Sequence, residues 1–381
     1  MILAAFAFAG LACAGLAYLG VASFMTRRLV ARRIAPAGTW PTISILKPMH
    51  GDEPDLARNL ASFVAQDYPG DVQILFGAQA PNDPAITIAE RVKAEHPGRD
   101  IEIVVDGRIW GTNRKVSNLV NMTERARHEV VVLADSDMRA PPGYLRRLAD
   151  ALAEPGTGAV TCPYHGLPIG TFWSRLTALA IDSHFLPGIA MGVGLDVGHP
   201  CMGSTIALRR ETLERIGGFR AVADELADDH VIGARVRGLG LRVTVTPFTV
   251  GHVCPERRFR DLLRQELRWI RTVRQVEPIG HLGSLVTHPL AYALAACALA
   301  PGGWTAGLVV AAVAARIGLA FVVARAFSLA RPRVWLVPLR DVLSFGMFVA
   351  SFFGRAVSWR GFSYDVARSG TLVPKVKREP T

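Results

Sequence analysis

The chain has 381 residues, 43 Lys+Arg against 32 Asp+Glu, and a formal net charge of +11. Half of it is hydrophobic and only 20% is charged, which excludes intrinsic disorder as a description of the whole. Cys13, Cys162, Cys201, Cys254 and Cys297 form no Cys-x-x-Cys pair, so neither a disulfide framework nor a zinc site is indicated, and a reducing compartment fits. The arginines cluster beside apolar segments, which points the positive balance toward anionic lipid headgroups rather than nucleic acid.

No charged residue occurs from Ile2 to Met25, a stretch long enough to cross a bilayer at about 1.5 Å per residue. No basic region precedes it, and Arg27, Arg28, Arg32 and Arg33 come directly after it. Residues 1–26 therefore read as a retained anchor rather than a cleaved signal peptide, and the positive charge places the chain beyond the anchor in the cytoplasm.

Between residues 36 and 283 short β runs alternate with helical stretches. Ile43–Leu46 reads as a strand ended by Lys47-Pro48, and Asp55–Gln66 as a helix with Leu56, Leu60, Phe63 and Val64 on one face. Further strands are read at Val72–Phe76, Ile101–Val105 and Val130–Ala134, with helices at Asp83–Glu95 and Arg114–Arg127 between them. Strands apolar on both faces suit a parallel sheet with helical crossovers, hence an α/β fold. No Gly-x-Gly-x-x-Gly fingerprint is present, since Gly192-Val193-Gly194 lacks the third glycine and a preceding strand, so a dinucleotide fold is disfavoured.

Asp135-Ser136-Asp137 comes after the fourth strand. Ligands of open α/β sheets bind beyond the carboxyl ends of strands. Two carboxylates one residue apart can address one Mg²⁺ or Mn²⁺, which keeps positions open for phosphate oxygens and stabilises a departing diphosphate. The competing reading is a solvated turn leading into Pro141-Pro142. Ile169–Leu186 is amphipathic and aromatic, with Phe172, Trp173 and Phe185, and carries Asp182-Ser183-His184 near its end. Ala227-Asp228-Asp229-His230 opens a helical stretch, Val231–Arg237, with the acidic pair where an N-cap would sit; one aspartate can cap while the other serves as a general base. Gln265 and Arg268, three apart on a helix over 258–275, share a face, and the helix by itself reads as a basic amphipathic element at a membrane surface.

The region 285–354 is apolar again. Leu285–Ala300 and Trp304–Ala324, separated by Pro301-Gly302-Gly303, read as a helical hairpin. Arg316 interrupts its second arm and should face protein, water or a headgroup, because a charge in lipid is costly. Arg340 and Asp341 leave only Val342–Gly354 uncharged in the third segment, so this is expected to be re-entrant or interfacial, with the basic tail 355–381 on the cytoplasmic side.

In order, Leu46-Lys47-Pro48, Asp67-Tyr68-Pro69, Asp83-Pro84-Ala85, Asn113-Arg114-Lys115, Asp135-Ser136-Asp137, Asp228-Asp229 and Gln265…Arg268-Trp269 resemble the motifs of glycosyltransferase family 21, the ceramide glucosyltransferases. Asp228 departs from the family's frequent Glu. Ser358-Trp359-Arg360-Gly361 resembles the family's motif after the membrane segments. The Asn113–Asn118 and Gly283–Pro289 runs are similar to those of bacterial hopanoid-associated glycosyltransferases.

The resemblance implies a GT-A fold, a UDP-sugar donor and inversion at the anomeric carbon. It implies that Asp83 contacts uridine, that Asp135 and Asp137 hold the metal–diphosphate, and that Asp229 is the base. It also implies that Gln265, Arg268 and Trp269 hold the diphosphate near the membrane, while Lys115 adds a cation on the donor side. Ser183-His184 matches a Ser-His of the ceramide enzymes, where hopanoid enzymes tend to an aromatic, which favours ceramide and puts His184 on the acceptor side. The expected protein is a metal-dependent enzyme that transfers one sugar, glucose, to ceramide, with its catalytic domain on the cytoplasmic face of a bacterial inner membrane. The alternatives are transfer of an N-acetylglucosamine-type sugar to a hopanoid, a processive polysaccharide synthase, and a non-catalytic lipid-binding scaffold. Ala227-Asp228-Asp229 in place of Thr-Glu-Asp weighs against the synthase, and the full set of carboxylates weighs against the scaffold.

Overall fold

The structure, a computed structural model, describes residues 1–353 in full and beyond them only the backbone of the strands Ala356–Trp359, Phe362–Val366 and Leu372–Pro374. The basic character of the tail and the side chains of Ser358–Gly361 lie outside the described residues. The chain divides into a sheet unit, Arg33–Tyr164 with His199–Val253 and the described residues from Trp359 onward, and a helical unit, Met1–Arg32 with His165–Gly198 and the described residues of Cys254–Ser358.

The strands in chain order are β1 (Ile43–Pro48), β2 (Val72–Ala78), β3 (Asp100–Val105), β4 (Val130–Leu133), β5 (Met138–Arg139), β6 (Thr157–Thr161), β7 (Tyr164–Pro168), β8 (Ile206–Arg209), β9 (Arg242–Val245) and β10 (Val250–Cys254). Seven of them form one sheet in the order β3-β2-β1-β4-β8-β6-β9. The β1–β2, β2–β3 and β1–β4 pairs are parallel, with Leu46 opposite both Leu75 and Leu133. The sheet is not parallel throughout, because β8 runs antiparallel to both β4 and β6. Nor does β1 stop at Leu46: Lys47 and Pro48 stay in register, opposite Phe76 and Gly77. Proline is tolerated there because it closes the strand rather than sitting in its middle.

Alternation along the strands feeds two cores, one on each face of the sheet. Ile43, Ile45, Ile74, Phe76, Val130 and Val132 meet the helices Leu56–Val64, Pro84–Glu95 and Tyr144–Ala153. Leu46, Leu75, Val131 and Leu133 meet Arg114–Thr123 and Asp228–Gly238 on the other side. Burial on both faces explains why β4 is an unbroken apolar run.

In the helical unit, three helices among the described residues are long and apolar enough to cross a membrane: Ile2–Ala31, Phe172–Leu195 and Gly303–Ala326. Pro278–Thr287 and Pro289–Leu299, bent by 56°, make a fourth if they count as one span. The expected arm Leu285–Ala300 is thus broken at His288, since Pro289 cannot donate to the preceding turn. The amphipathic segment expected to end at Leu186 instead runs on to Leu195 through a π turn at Ile181–Phe185. Pro187 has no N–H for the Ser183 carbonyl four residues back, and its ring would collide with that carbonyl; widening the turn relieves the clash. The first helix packs closely through small residues, and a Cβ on Gly15 would come within 2.8 Å of Pro289 Cβ.

Candidate active site

The Asp135-Ser136-Asp137 turn leaves β4 and is held from beneath. Lys47 of β1, wholly buried, donates from its ammonium to the Asp135 carbonyl and lies 3.8 Å from the centroid of the Phe63 ring. Asn59 Nδ2 donates to the Ser136 carbonyl at 3.3 Å. Burial pushes the Lys47 amine down to about 7, against the pull of Asp137, Asp135 and Glu53.

Lys115 enters from the first turn of Arg114–Thr123, where Asn113 caps the helix by accepting from Val116 N at 3.2 Å. Its Nζ stands 2.8 Å from Asp135 Oδ1 and 3.4 Å from Asp228 Oδ2. Burial works against the charge on Lys115, but Asp135, Asp228 and Asp229 outweigh it and hold the ammonium above its ordinary value. Burial lifts Asp228 above the usual carboxylate range, with Lys115 opposing and Asp229 adding to the rise. The side chains of Asp135 and Asp137 keep 30% and 38% exposure, whereas Lys115 and Asp228 keep 10% and 8%. The reachable carboxylates therefore lie over a buried ion pair.

Neither member of the acidic pair is the N-cap expected from the sequence. Ala227 occupies that position, and Asp228 is already the first helical residue. Asp229 instead accepts from two backbone groups, Gly203 N on Oδ2 and His230 N on Oδ1, each at 2.8 Å. Its head is fixed, with lone pairs to spare on both oxygens.

Asp137 Oδ2 lies 3.3 Å from His252 Nε2, which strand pairing brings alongside, His252 standing opposite Met138. Burial alone would raise Asp137, but His252, Lys47 and Lys115 together hold it below the usual carboxylate range. Its Oδ1 is buried without a hydrogen-bond partner. An unanswered carboxylate oxygen beside a second, reachable carboxylate fits a hard divalent cation that takes its remaining ligands from phosphate and water. It is no protein cage: among the described residues, no three His, Cys, Asp or Glu side chains gather at ligating spacing. Sequence reasoning missed His252 and the role of Lys47, because neither carries a local signal.

Asp83 caps Pro84–Glu95, its Oδ1 accepting from Ala85 N and from Gly51 N, both at 2.9 Å. His50 Nδ1 lies 3.3 Å from its Oδ2. The carboxylate so ties the loop after β1 to the helix that follows β2.

The remaining nominated residues belong to the helical unit. On Phe259–Val276, Arg268 Nη2 donates to Gln265 Oε1 at 3.2 Å, and its guanidinium lies 6.0 Å from the Trp269 ring centroid. Arg316 is buried in protein: it donates to Asp341, to the Ser183 carbonyl at 3.3 Å and to the Thr287 carbonyl at 2.5 Å, and meets His184 Nδ1 at 3.0 Å. His184 Nε2 in turn lies 3.2 Å from Ser344 Oγ. Both ring nitrogens of His184 are thus engaged in a polar network that its Ser-His motif did not announce.

A sheet of this order, carrying an Asp-Ser-Asp turn beyond β4 and a second acidic pair opposite it, is the GT-A glycosyltransferase fold. The solved structure of a mannosyltransferase from Pyrobaculum calidifontis, in complex with GDP-Man and Mn²⁺, matches with a TM-score of 0.52 at 21% identity, covering 91% of this chain and 98% of that one. The chain belongs to glycosyl transferase family 21, whose profile matches residues 7–372. It is 25% identical to ceramide glucosyltransferase 1 of Caenorhabditis elegans over 227 residues, 56% of this chain and 46% of that protein. It is 30% identical to the ceramide glucosyltransferase of Candida albicans over 115 residues, 27% of this chain and 21% of that protein. The matched stretch spans less than half the length of either relative.

Proposed function

We propose that this protein is an inverting enzyme that moves a single sugar, glucose, from a UDP-sugar to the hydroxyl of a membrane lipid, ceramide. The observation that carries the reading is the cluster of Lys115, Asp135, Asp228 and Asp229, in which a buried ammonium and a backbone-fixed carboxylate share one site. Asp229 takes the proton of the acceptor hydroxyl as its oxygen attacks the anomeric carbon; the sugar–phosphate bond breaks and UDP leaves from the opposite face. Lys115 opposes the negative charge that builds on the diphosphate. A divalent cation at Asp135 and Asp137, Mg²⁺ or Mn²⁺, supplies further charge to the leaving group when bound. By their motifs, Asp83 is assigned to the uridine, Gln265, Arg268 and Trp269 to the diphosphate, and His184 to the acceptor side.

The organisation that goes with this chemistry is an anchor over 1–26, a catalytic domain over 36–283 with an interfacial helix over 258–275, a membrane region over 285–354 and a basic tail over 355–381. The helices long enough to span support a membrane location, which we assign to a bacterial inner membrane with the donor site facing the cytoplasm. A soluble donor and a bilayer-bound acceptor call for this arrangement.

The test is a thin-layer assay on purified membranes with labelled UDP-glucose, offering ceramide and bacteriohopanetetrol side by side, with and without EDTA. A slower-migrating, EDTA-sensitive ceramide product that Asp229→Asn abolishes supports the reading. Product on the hopanoid alone overturns the acceptor assignment, and no product from any UDP-sugar overturns the enzyme.

A further inference from the structure

Gly203 lies where the acidic cluster converges. A Cβ built there would stand 3.1 Å from Lys115 Nζ, 3.3 Å from Asp229 Oδ2 and 3.4 Å from Asp135 Oδ2. Gly158, another tight glycine of the sheet unit, faces the packing atoms of Leu241 and Val236. At Gly203 the three nearest atoms are all heads of charged side chains. Its backbone does not demand glycine either, because it is absent from the glycines with positive φ.

The loop around it is pinned on both sides. Met202 N donates to Thr161 Oγ1 at 2.9 Å, and Ser204 Oγ donates to the Cys162 carbonyl at 2.7 Å. Gly203 itself donates its N–H to Asp229 Oδ2 at 2.8 Å. The bare Cα is therefore a fixed floor, walled by an ammonium donor and by a carboxylate with a lone pair to spare.

We propose that the space over Gly203 is the subsite of the acceptor's reacting oxygen, with Gly203 as a positioning residue that both orients Asp229 and leaves room for the hydroxyl. This rests on the glycosyl-transfer reading above. An oxygen seated above Gly203 gives its proton to Asp229 as it bonds to the anomeric carbon and the sugar–phosphate bond breaks. Any side chain at 203 takes the oxygen's place and pushes the charged heads apart.

The experiment is steady-state kinetics on the full-length enzyme, with varied acceptor lipid, for wild type, Gly203→Ala and the control Gly98→Ala, where a Cβ meets nothing within 4 Å. UDP-sugar binding and thermal unfolding are measured alongside. Gly203→Ala is expected to keep its fold and its donor affinity while kcat falls by on the order of 100-fold, the scale of a small misplacement of reacting groups. Gly98→Ala is expected to match wild type. A Gly203→Ala enzyme with wild-type kcat overturns the subsite alone. So does loss of donor binding with kcat kept, or a Gly203→Ala chain that fails to fold, since the space would then belong to the donor or to packing. A wild-type chain that forms no product with any acceptor overturns the transfer reading and the subsite together.

Discussion

Arg340 donates to both oxygens of Glu266, at 2.7 and 2.8 Å, although 74 residues separate them and both side chains are buried. The pair is bidentate, and Arg340 Nε is occupied as well, donating to Ser344 Oγ at 3.0 Å. Removing either partner strands the other charge away from water. Arg340→Met and Glu266→Leu are each expected to cost about 3–5 kcal/mol, whereas the double variant recovers most of that loss. Thermal unfolding in detergent of the two singles and the double checks this; a double variant as unstable as the sum of the singles would contradict it.

Asp83 is asked to cap a helix and to bind uridine with one carboxylate. Asp83→Ala is expected to lower stability by about 1 kcal/mol, the usual worth of an N-cap side chain, while Asp83→Asn keeps the acceptor and most of the stability. Titrating UDP into both variants separates the roles. If Asp83→Ala binds UDP as wild type does, the uridine contact is excluded and the residue is structural.

Lys47 ties the Asp135 turn to β1 with an amine held at about 7, below its ordinary 10.5. The unfolded chain therefore binds the proton more readily than the folded one between these values. Stability relative to Lys47→Met rises as pH climbs from 7 toward 10.5, by up to about 1.4 kcal/mol per unit, and this gain is absent below pH 7. The difference in unfolding temperature between the two proteins, tracked from pH 6 to about pH 9, reads the slope. A flat difference shows that Lys47 stays charged.

Asp137 Oδ1 is the buried oxygen left without a partner in the acidic turn. Asp137→Asn is expected to weaken Mn²⁺ binding by on the order of 100-fold, while leaving the fold intact through the Lys47 and Asn59 contacts to the neighbouring backbone. Paramagnetic titration of Mn²⁺ into the purified protein measures this without turnover. Unchanged affinity would move the ion away from this carboxylate.

The strands that form the parallel half of the sheet were legible because residues such as Val130–Leu133 are buried on both faces and leave an apolar run that nothing else explains. The turn after β4 was legible for the same reason, since a strand's carboxyl end locates itself. Other features carried no local sign. β8 is four residues long, and its antiparallel insertion depends on partners distant in sequence. Lys47 reads as a strand terminator, yet its amine is buried beneath the site and donates to the Asp135 carbonyl. His252 reaches Asp137 only through the pairing of β10 with β5. The helix through Leu195 was hidden by Asp182, His184 and Pro187, which break its apolar pattern and are accommodated by contacts from elsewhere in its unit.

Pro187 denies the Ser183 carbonyl its usual donor, and Arg316, on another helix, donates to that same oxygen. Pro187 and Arg316 thus bear on one oxygen. An apolar residue at 316 would leave that carbonyl without its side-chain donor, and a helix straightened by losing the proline would take back one of the acceptors that hold the guanidinium beside Asp341 and the Thr287 carbonyl. Among relatives of this chain, positions 187 and 316 are therefore expected to mutate as a couple rather than one at a time.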